Sequence, residues 1–235
     1  DIALDGSNNI YLTGSFSQLN DFDPAVATSS NLSTSSPTQL DIYLAKYDPL
    51  GNFTYVKQIG GIGVDIGFQV RPDASGGVFL GGVFSSNCDF DPTVTTSVIT
   101  SAGQGDLFVA RYNPSGNLMW ATGTGGTQND YCYGLGVDAS NNVYITGRFQ
   151  GTNIDFDPSA SSNLLTGTTF CPYVAGYNAT GGFLFANSPG DIPGEGRHLV
   201  YSAPSVYITG FFSTTGDFDF SASTATIASA GSSDI

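Results

Sequence analysis

The tetrapeptide Asp-Phe-Asp-Pro occurs at Asp21–Pro24, Asp89–Pro92 and Asp155–Pro158, and an altered copy, Asp-Phe-Asp-Phe, runs from Asp217 to Phe220. Self-similarity of this kind marks stacked or radial folds, in which each unit buries its apolar face against the next. Other positions set the period more sharply. Asp65, Asp130 and Glu195 lie 65 residues apart, each five residues after a glycine (Gly60, Gly125, Gly190). Tyr55, Trp120 and Phe185 repeat the same step, and so do Asp41, Asp106 and Cys171. The motif itself steps by 68, 66 and 62 residues, which assigns the length variation to the connection beside it.

Each unit reads as four short strands. In the third, these are Tyr131–Val137, Val143–Phe149, Tyr173–Val174–Ala175–Gly176–Tyr177 and Phe183–Asn187, with turns at Asp138–Asn142 and Asn178–Gly182. β-Branched and aromatic runs bounded by Asn, Asp and Gly are a strand-and-turn signal, because those residues tolerate the positive φ of tight turns. No segment carries an apolar helical stripe with capping residues, so little helix is expected. The expected fold class is all-β: a β-propeller of four-stranded antiparallel blades of about 65 residues. A compact blade takes roughly 40–45 residues, and the surplus falls in a long second-to-third-strand connection that carries Asp-Phe-Asp-Pro.

The units divide as a partial blade over 1–61, blades over 62–126 and 127–191, and a partial blade over 192–235. Residues 1–5 read as the end of a first strand, and Ser233–Asp234–Ile235 as the start of a third. About three and a half blades are therefore expected here, as a fragment of a larger, seven-bladed propeller. Its remaining blades would come from the same longer chain or, less simply, from a second copy.

The strings Asn142–Gly147 (Asn-Val-Tyr-Ile-Thr-Gly), Asp106–Tyr112 (Asp-Leu-Phe-Val-Ala-Arg-Tyr) and Pro114–Trp120, followed by Gly125–Gly126, resemble the bacterial β-propeller repeat called SBBP. The Asp-Phe-Asp-Pro insert resembles a variant found in large secreted or surface proteins of Bacteroidota-type bacteria. The resemblance implies a propeller over essentially the whole chain and a secreted or cell-surface location, and it brings no shared catalytic residues. This chain departs from the pattern at Cys171 (for Asp41 and Asp106), Gly176 (for Lys46 and Arg111) and Phe220 (for proline).

Net charge narrows the partners. A formal charge of −14 with six Lys plus Arg disfavours phosphate-backbone binding and adhesion to anionic membranes. No apolar run approaches the roughly 20 residues of a membrane span. Glu195 is the one glutamate among twenty acidic residues. That skew suits turns, where the short Asp side chain bonds nearby backbone, and equally suits oxygen-ligand sites. The carboxylates Asp21, Asp23, Asp89, Asp91, Asp155, Asp157, Asp217 and Asp219 are the metal candidates. A calcium ion takes 6–8 oxygens, and an extended Asp-Phe-Asp would send both carboxylates to one side and the phenyl to the other. Asp65, Asp130 and Glu195 are placed on the same acidic face. The competing reading makes each motif a staple for an oversized loop, with Phe22, Phe90, Phe156 and Phe218 pegged onto the blade.

Catalytic signals are thin. His198 is the single histidine, and neither it nor Arg197 has a counterpart in the other units. Cys88, Cys132 and Cys171 stand at non-equivalent places and read as small buried hydrophobes. Trp120, Tyr55 and Phe185 are better placed for inter-blade packing than for stacking on sugars. Asn31, Asn52 and Asn178 open N-glycosylation patterns, which a bacterial source would leave unused. A non-enzymatic structural or binding module is the leading expectation, its partner a protein or glycan at the cell surface. The alternative is an extracellular lectin or carbohydrate-active enzyme with its site at the propeller axis. A scaffold repeats its surface residues, whereas a site breaks the repeat.

Overall fold

The computed structural model describes every residue except 94 and 222, and among the described residues there is no helix. The first unit holds β1 (Ile2–Leu4), β2 (Ile10–Phe16), β3 (Leu19–Asp21), β4 (Asn31–Ser33), β5 (Asp41–Tyr47) and β6 (Phe53–Gly61). The second holds β7 (Ile66–Pro72), β8 (Val78–Phe84), β9 (Asn87–Asp89), β10 (Val98–Thr100), β11 (Asp106–Tyr112) and β12 (Leu118–Thr124). The third has β13 (Tyr131–Val137), β14 (Val143–Asp155), β15 (Leu164–Tyr177) and β16 (Phe183–Asn187). The last has β17 (Gly194–Ser202), β18 (Ser205–Phe212), β19 (Thr215–Asp217) and β20 (Thr226–Ala228). The main sheets are β1-β2-β5-β6, β7-β8-β11-β12 and β13-β14-β15-β16, all antiparallel, followed by the pair β17-β18.

One turn design is used six times. Between first and second strands, the Oδ1 atoms of Asp5, Asp73 and Asp138 each accept the N–H groups two and four residues on, at 2.7–2.9 Å. Asp48, Asn113 and Asn178 accept the corresponding N–H groups between third and fourth strands, at 2.8–3.1 Å. The fourth residue of each turn takes positive φ, and Asn8, Gly76, Asn141, Gly51, Gly116 and Gly181 stand there, the residue types that accept it.

The sheets stack face to face in chain order. Side chains alternate across a strand, so the second sheet feeds two cores. Leu80 and Phe108 join Tyr11, Ile42 and Leu44 on one side. Phe79, Leu107 and Val109 join Cys132, Leu135 and Ile145 on the other. Every residue of β8 and β11 is accordingly buried. The last unit is opener, and Asp234 bridges Phe212 in the register by which Asp41, Asp106 and Cys171 oppose Phe16, Phe84 and Phe149.

The insert, expected as an oversized loop, has strands of its own. It is a β-hairpin, formed by β3–β4, β9–β10 and β19–β20, and in the third unit it is a direct extension of β14 and β15. The hairpin β9–β10 also pairs with the previous sheet, Gly60 opposite Asp89 and Gly61 opposite Cys88. A side chain on Gly61 would begin 1.8 Å from the Asn87 carbonyl oxygen, so that close approach requires glycine.

Candidate functional site

Each Asp-Phe-Asp element sits at a hairpin tip. The Oδ1 of Asp21 accepts the N–H of Asp23 at 3.0 Å and of Ser30 at 2.8 Å. Asp89 binds Asp91 and Ser97 in the same way, Asp155 binds Asp157 and Asn163, and Asp217 binds Asp219 and Ala225. The second aspartates, Asp23, Asp91, Asp157 and Asp219, each accept the N–H two residues on. Hydrogen bonding, first from Ser30, holds the Asp21 carboxyl below its ordinary range, and Ser221 does this for Asp219.

The first carboxylate thus folds back over its own backbone. The motif is a turn, and the expected extended segment with paired carboxylates on one side is not formed. The phenyls do peg the hairpin. Phe90 packs edge-on against Phe84 at 5.5 Å and Phe156 against Phe149 at 5.7 Å. The carbonyls of Phe22, Phe90 and Phe156 accept the hydroxyls of Tyr47, Tyr112 and Tyr177 at 2.7–2.9 Å. Most of the oxygens that a calcium ion would need therefore already face N–H or O–H donors. Among the described residues, no three His, Cys, Asp or Glu side chains gather as a metal-holding group.

The acidic face is likewise rearranged, because Asp65, Asp130 and Glu195 are buried. Asp65 ties the units together. Its Oδ2 accepts the N–H of Gly61 from the preceding sheet, and its Oδ1 the N–H of Ser85 from its own. Asp130 repeats this with Gly126 and Gln150. Glu195 is not their equivalent. In the pairing of β17 with β18 it lies opposite Phe211, just as Tyr131 lies opposite Arg148 and Ile66 opposite Val83. Gly194 occupies the aspartate position, opposite Phe212. The segment between β16 and β17 is one residue short, which even spacing along the chain conceals.

All three cysteines are buried and unpaired. Burial pushes the Cys132 thiol up to about 12 and the Cys171 thiol to about 11, which keeps both as unreactive thiols. His198 is exposed on β17. Trp120 packs between sheets: its Nε1 donates to the Ala179 carbonyl at 3.0 Å, and a side chain on Gly181 would begin 2.9 Å from its ring. Tyr55 stands in the same relation to Gly116.

The units also diverge at the bulges of their first strands. Strands β7, β13 and β17 each carry a β-bulge, and the residues skipped in the pairing are Phe68, Tyr133 and Arg197. A bulge re-aims its extra residue out of the ladder. The Phe68 and Tyr133 rings lie 5.4 Å apart, and Tyr131 stacks on Tyr133 at 5.3 Å. Arg197 lies over Tyr133 at 5.0 Å, and Arg148 lies over Tyr131 at 4.7 Å and Phe170 at 4.1 Å. Buried Glu195 anchors both guanidiniums, with Arg148 at 3.2 Å and Arg197 in closer contact. The Arg197 side chain stays 53% exposed, so it has a free face to offer a partner. Arg197 is distinctive in the sequence, but its aromatic companions are hidden there, because only the bulges bring them together.

No family model matches this chain. It is 24% identical, over 91% of its length, to an uncharacterized WD repeat-containing protein of Acanthamoeba polyphaga mimivirus. It is 25% identical, over 51% of its length, to the regulatory protein FlaEY of Caulobacter vibrioides. The chain spans 18% of the first relative and 13% of the second. Together with the stacked four-stranded sheets, the similarity to a WD repeat protein supports a β-propeller-type repeat architecture.

Proposed function

We propose that this chain is a binding module of a propeller, contacting a protein partner through the arginine–aromatic cluster of its first strands. The observation that carries the reading is the division of labour along the repeat. Residues that recur are consumed in turns, hairpin tips and sheet joints, whereas the cluster of half-buried Phe68 and Tyr133 with exposed Arg197 differs from unit to unit. Tyrosine and arginine are the side chains most enriched where protein interfaces draw their affinity, since they bury large areas at low entropic cost. The chain's resemblance to SBBP repeats supports a secreted or cell-surface setting.

The stacked rings of Tyr131 and Tyr133 favour a second reading, in which the same surface holds a glycan. Surface crosslinking in the source organism and a glycan array, each run with the native chain and with Tyr133→Ala/Arg197→Ala, separate the two. The expected result is a crosslinked protein lost with the variant while its circular dichroism is unchanged. Array binding lost with the variant assigns the surface to a glycan. Equal behaviour of the two chains in both assays removes the cluster from the binding surface.

A further inference from the structure

Two joints between successive sheets bury a pair of carboxyl groups. The residues entering the third strand of one sheet and the first strand of the next run side by side, bridged at Leu40–Val64 and Gly105–Asn129. The Asp65 N–H donates to the Leu40 carbonyl at 2.8 Å and the Asp130 N–H to the Gly105 carbonyl at 2.7 Å. Asp41 thereby lies beside Asp65, and Asp106 beside Asp130. The four residues are 0–5% exposed. Among the described residues none of them forms a salt bridge.

The donors are unequally shared. Both oxygens of Asp65 and of Asp130 accept backbone N–H groups. Asp41 Oδ2 accepts the Gln58 amide and Asp106 Oδ2 the Ala102 N–H. Asp41 Oδ1 and Asp106 Oδ1 are buried with no donor at all. A side chain on Gly125 would begin 2.6 Å from both Asp106 Oδ1 and Asp130 Oδ2, so the orphaned oxygen and its neighbour face one shared space. A side chain on Gly60 would begin at the same distance from Asp41 Oδ1.

An orphaned, buried carboxylate oxygen beside a second carboxyl is costly unless a proton or a cation joins them. A calcium ion needs 6–8 oxygens, and three of the four in each pair already face donors. A proton needs only one acceptor. We propose that Asp41–Asp65 and Asp106–Asp130 are proton-sharing carboxyl pairs, and that loss of these protons loosens the stacking of the sheets they join.

The chain contains its own comparison. At the third joint Cys171 and Gly194 replace both acids at once, and the carboxylate that reaches Cys171, Asp191, is exposed and accepts both donors of Thr168. Burial, with the neighbouring carboxylate adding to it, pushes Asp65 and Asp130 up to about 7, and burial also raises Asp41 and Asp106. The first pair is faced by Cys88 of β9, which Asp89 also neighbours, and by Gln58. The second is faced by Tyr173 of β15 and by Arg148 of β14, whose guanidinium is bonded to Glu195. A proton affinity raised by folding contributes stability that is complete below the ordinary carboxyl range, near pH 4. That stability is lost as pH rises through about 7.

Infrared titration of the intact chain tests the proposal directly. A protonated-carboxyl band should persist above the range in which exposed carboxyls ionise, then disappear as pH rises through about 7. In Asp41→Asn/Asp106→Asn the band should be lost and the fall in melting temperature over the same interval should flatten. Absence of the band from the native chain overturns the proposal, and this measurement decides alone if the variant does not fold. A melting temperature raised by Ca²⁺ in the native chain and not in the variant also overturns it, by making the pairs cation sites.

Discussion

Phe90 and Phe218 stand at the same place in the repeat, yet Phe90 is fully buried and Phe218 is 36% exposed. Phe90 lies between Phe84 and Phe108, whereas Phe218 has Phe212 as its ring partner. Phe90→Ala should cost about 3–5 kcal/mol, the range for emptying a well-packed core site. Phe218→Ala should cost no more than about 1 kcal/mol, because much of its surface already meets water. Denaturant midpoints at constant m-value would check both. The peg role of these phenyls was legible in the sequence, since an aromatic between two aspartates has one way to be buried. The fold-back of the first aspartate was not, because Asp-Phe-Asp is compatible with a strand until the N–H donors eight or nine residues on are placed. Glu195 misled for a related reason. Its spacing fits the period, and only backbone pairing reveals the one-residue deficit before β17.

Among the elements, the joint between the second and third sheets is pinned by Arg111 of β11. Its Nε and Nη2 donate to Asp73 Oδ2 at 2.9 and 2.6 Å, and its Nη1 to the Ala179 carbonyl of the next sheet's turn at 2.7 Å. Both partners of the ion pair are buried. Arg111→Ala should destabilise by about 3–5 kcal/mol, because it strands the Asp73 charge. Arg111→Ala with Asp73→Asn should recover much of that loss, and a double-mutant cycle in thermal unfolding would measure the recovery. The equivalent residue in the first sheet, Lys46, lies over the Tyr11 ring at 4.9 Å. In the third it is Gly176, where a side chain would begin 2.8 Å from the Phe185 ring. The four-stranded units were legible from alternation and turn residues. The inserted hairpins were not, because strands as short as Asn87–Asp89 carry no periodic signal.

On the scale of the whole molecule, the −14 charge sets up self-repulsion across the stacked sheets. Sodium chloride should therefore raise the melting temperature until screening saturates. Calcium should add nothing beyond the effect of ionic strength, since a ligand of the native state must stabilise it. A specific rise abolished by chelator would return the Asp-Phe-Asp tips to consideration as ligands. The order of the units was readable from the 65-residue step alone. The arginine–aromatic cluster proposed as the binding surface was not, because it depends on bulges that bring residues from different units into one ladder of rings.

The pairing of β9 with β6 gives the chain an uneven mechanical profile. A strand pairing crosses from the first sheet to the second, whereas single main-chain bonds cross the later joints, Asp130 N–H to the Gly105 carbonyl and Asp217 N–H to the Pro189 carbonyl. Pulled from its ends, the molecule should shed its last strands early and part the first two units late, in a single rupture. In optical tweezers, Asn87→Pro, which disrupts the short hairpin that makes the seam, should split that rupture into two smaller steps.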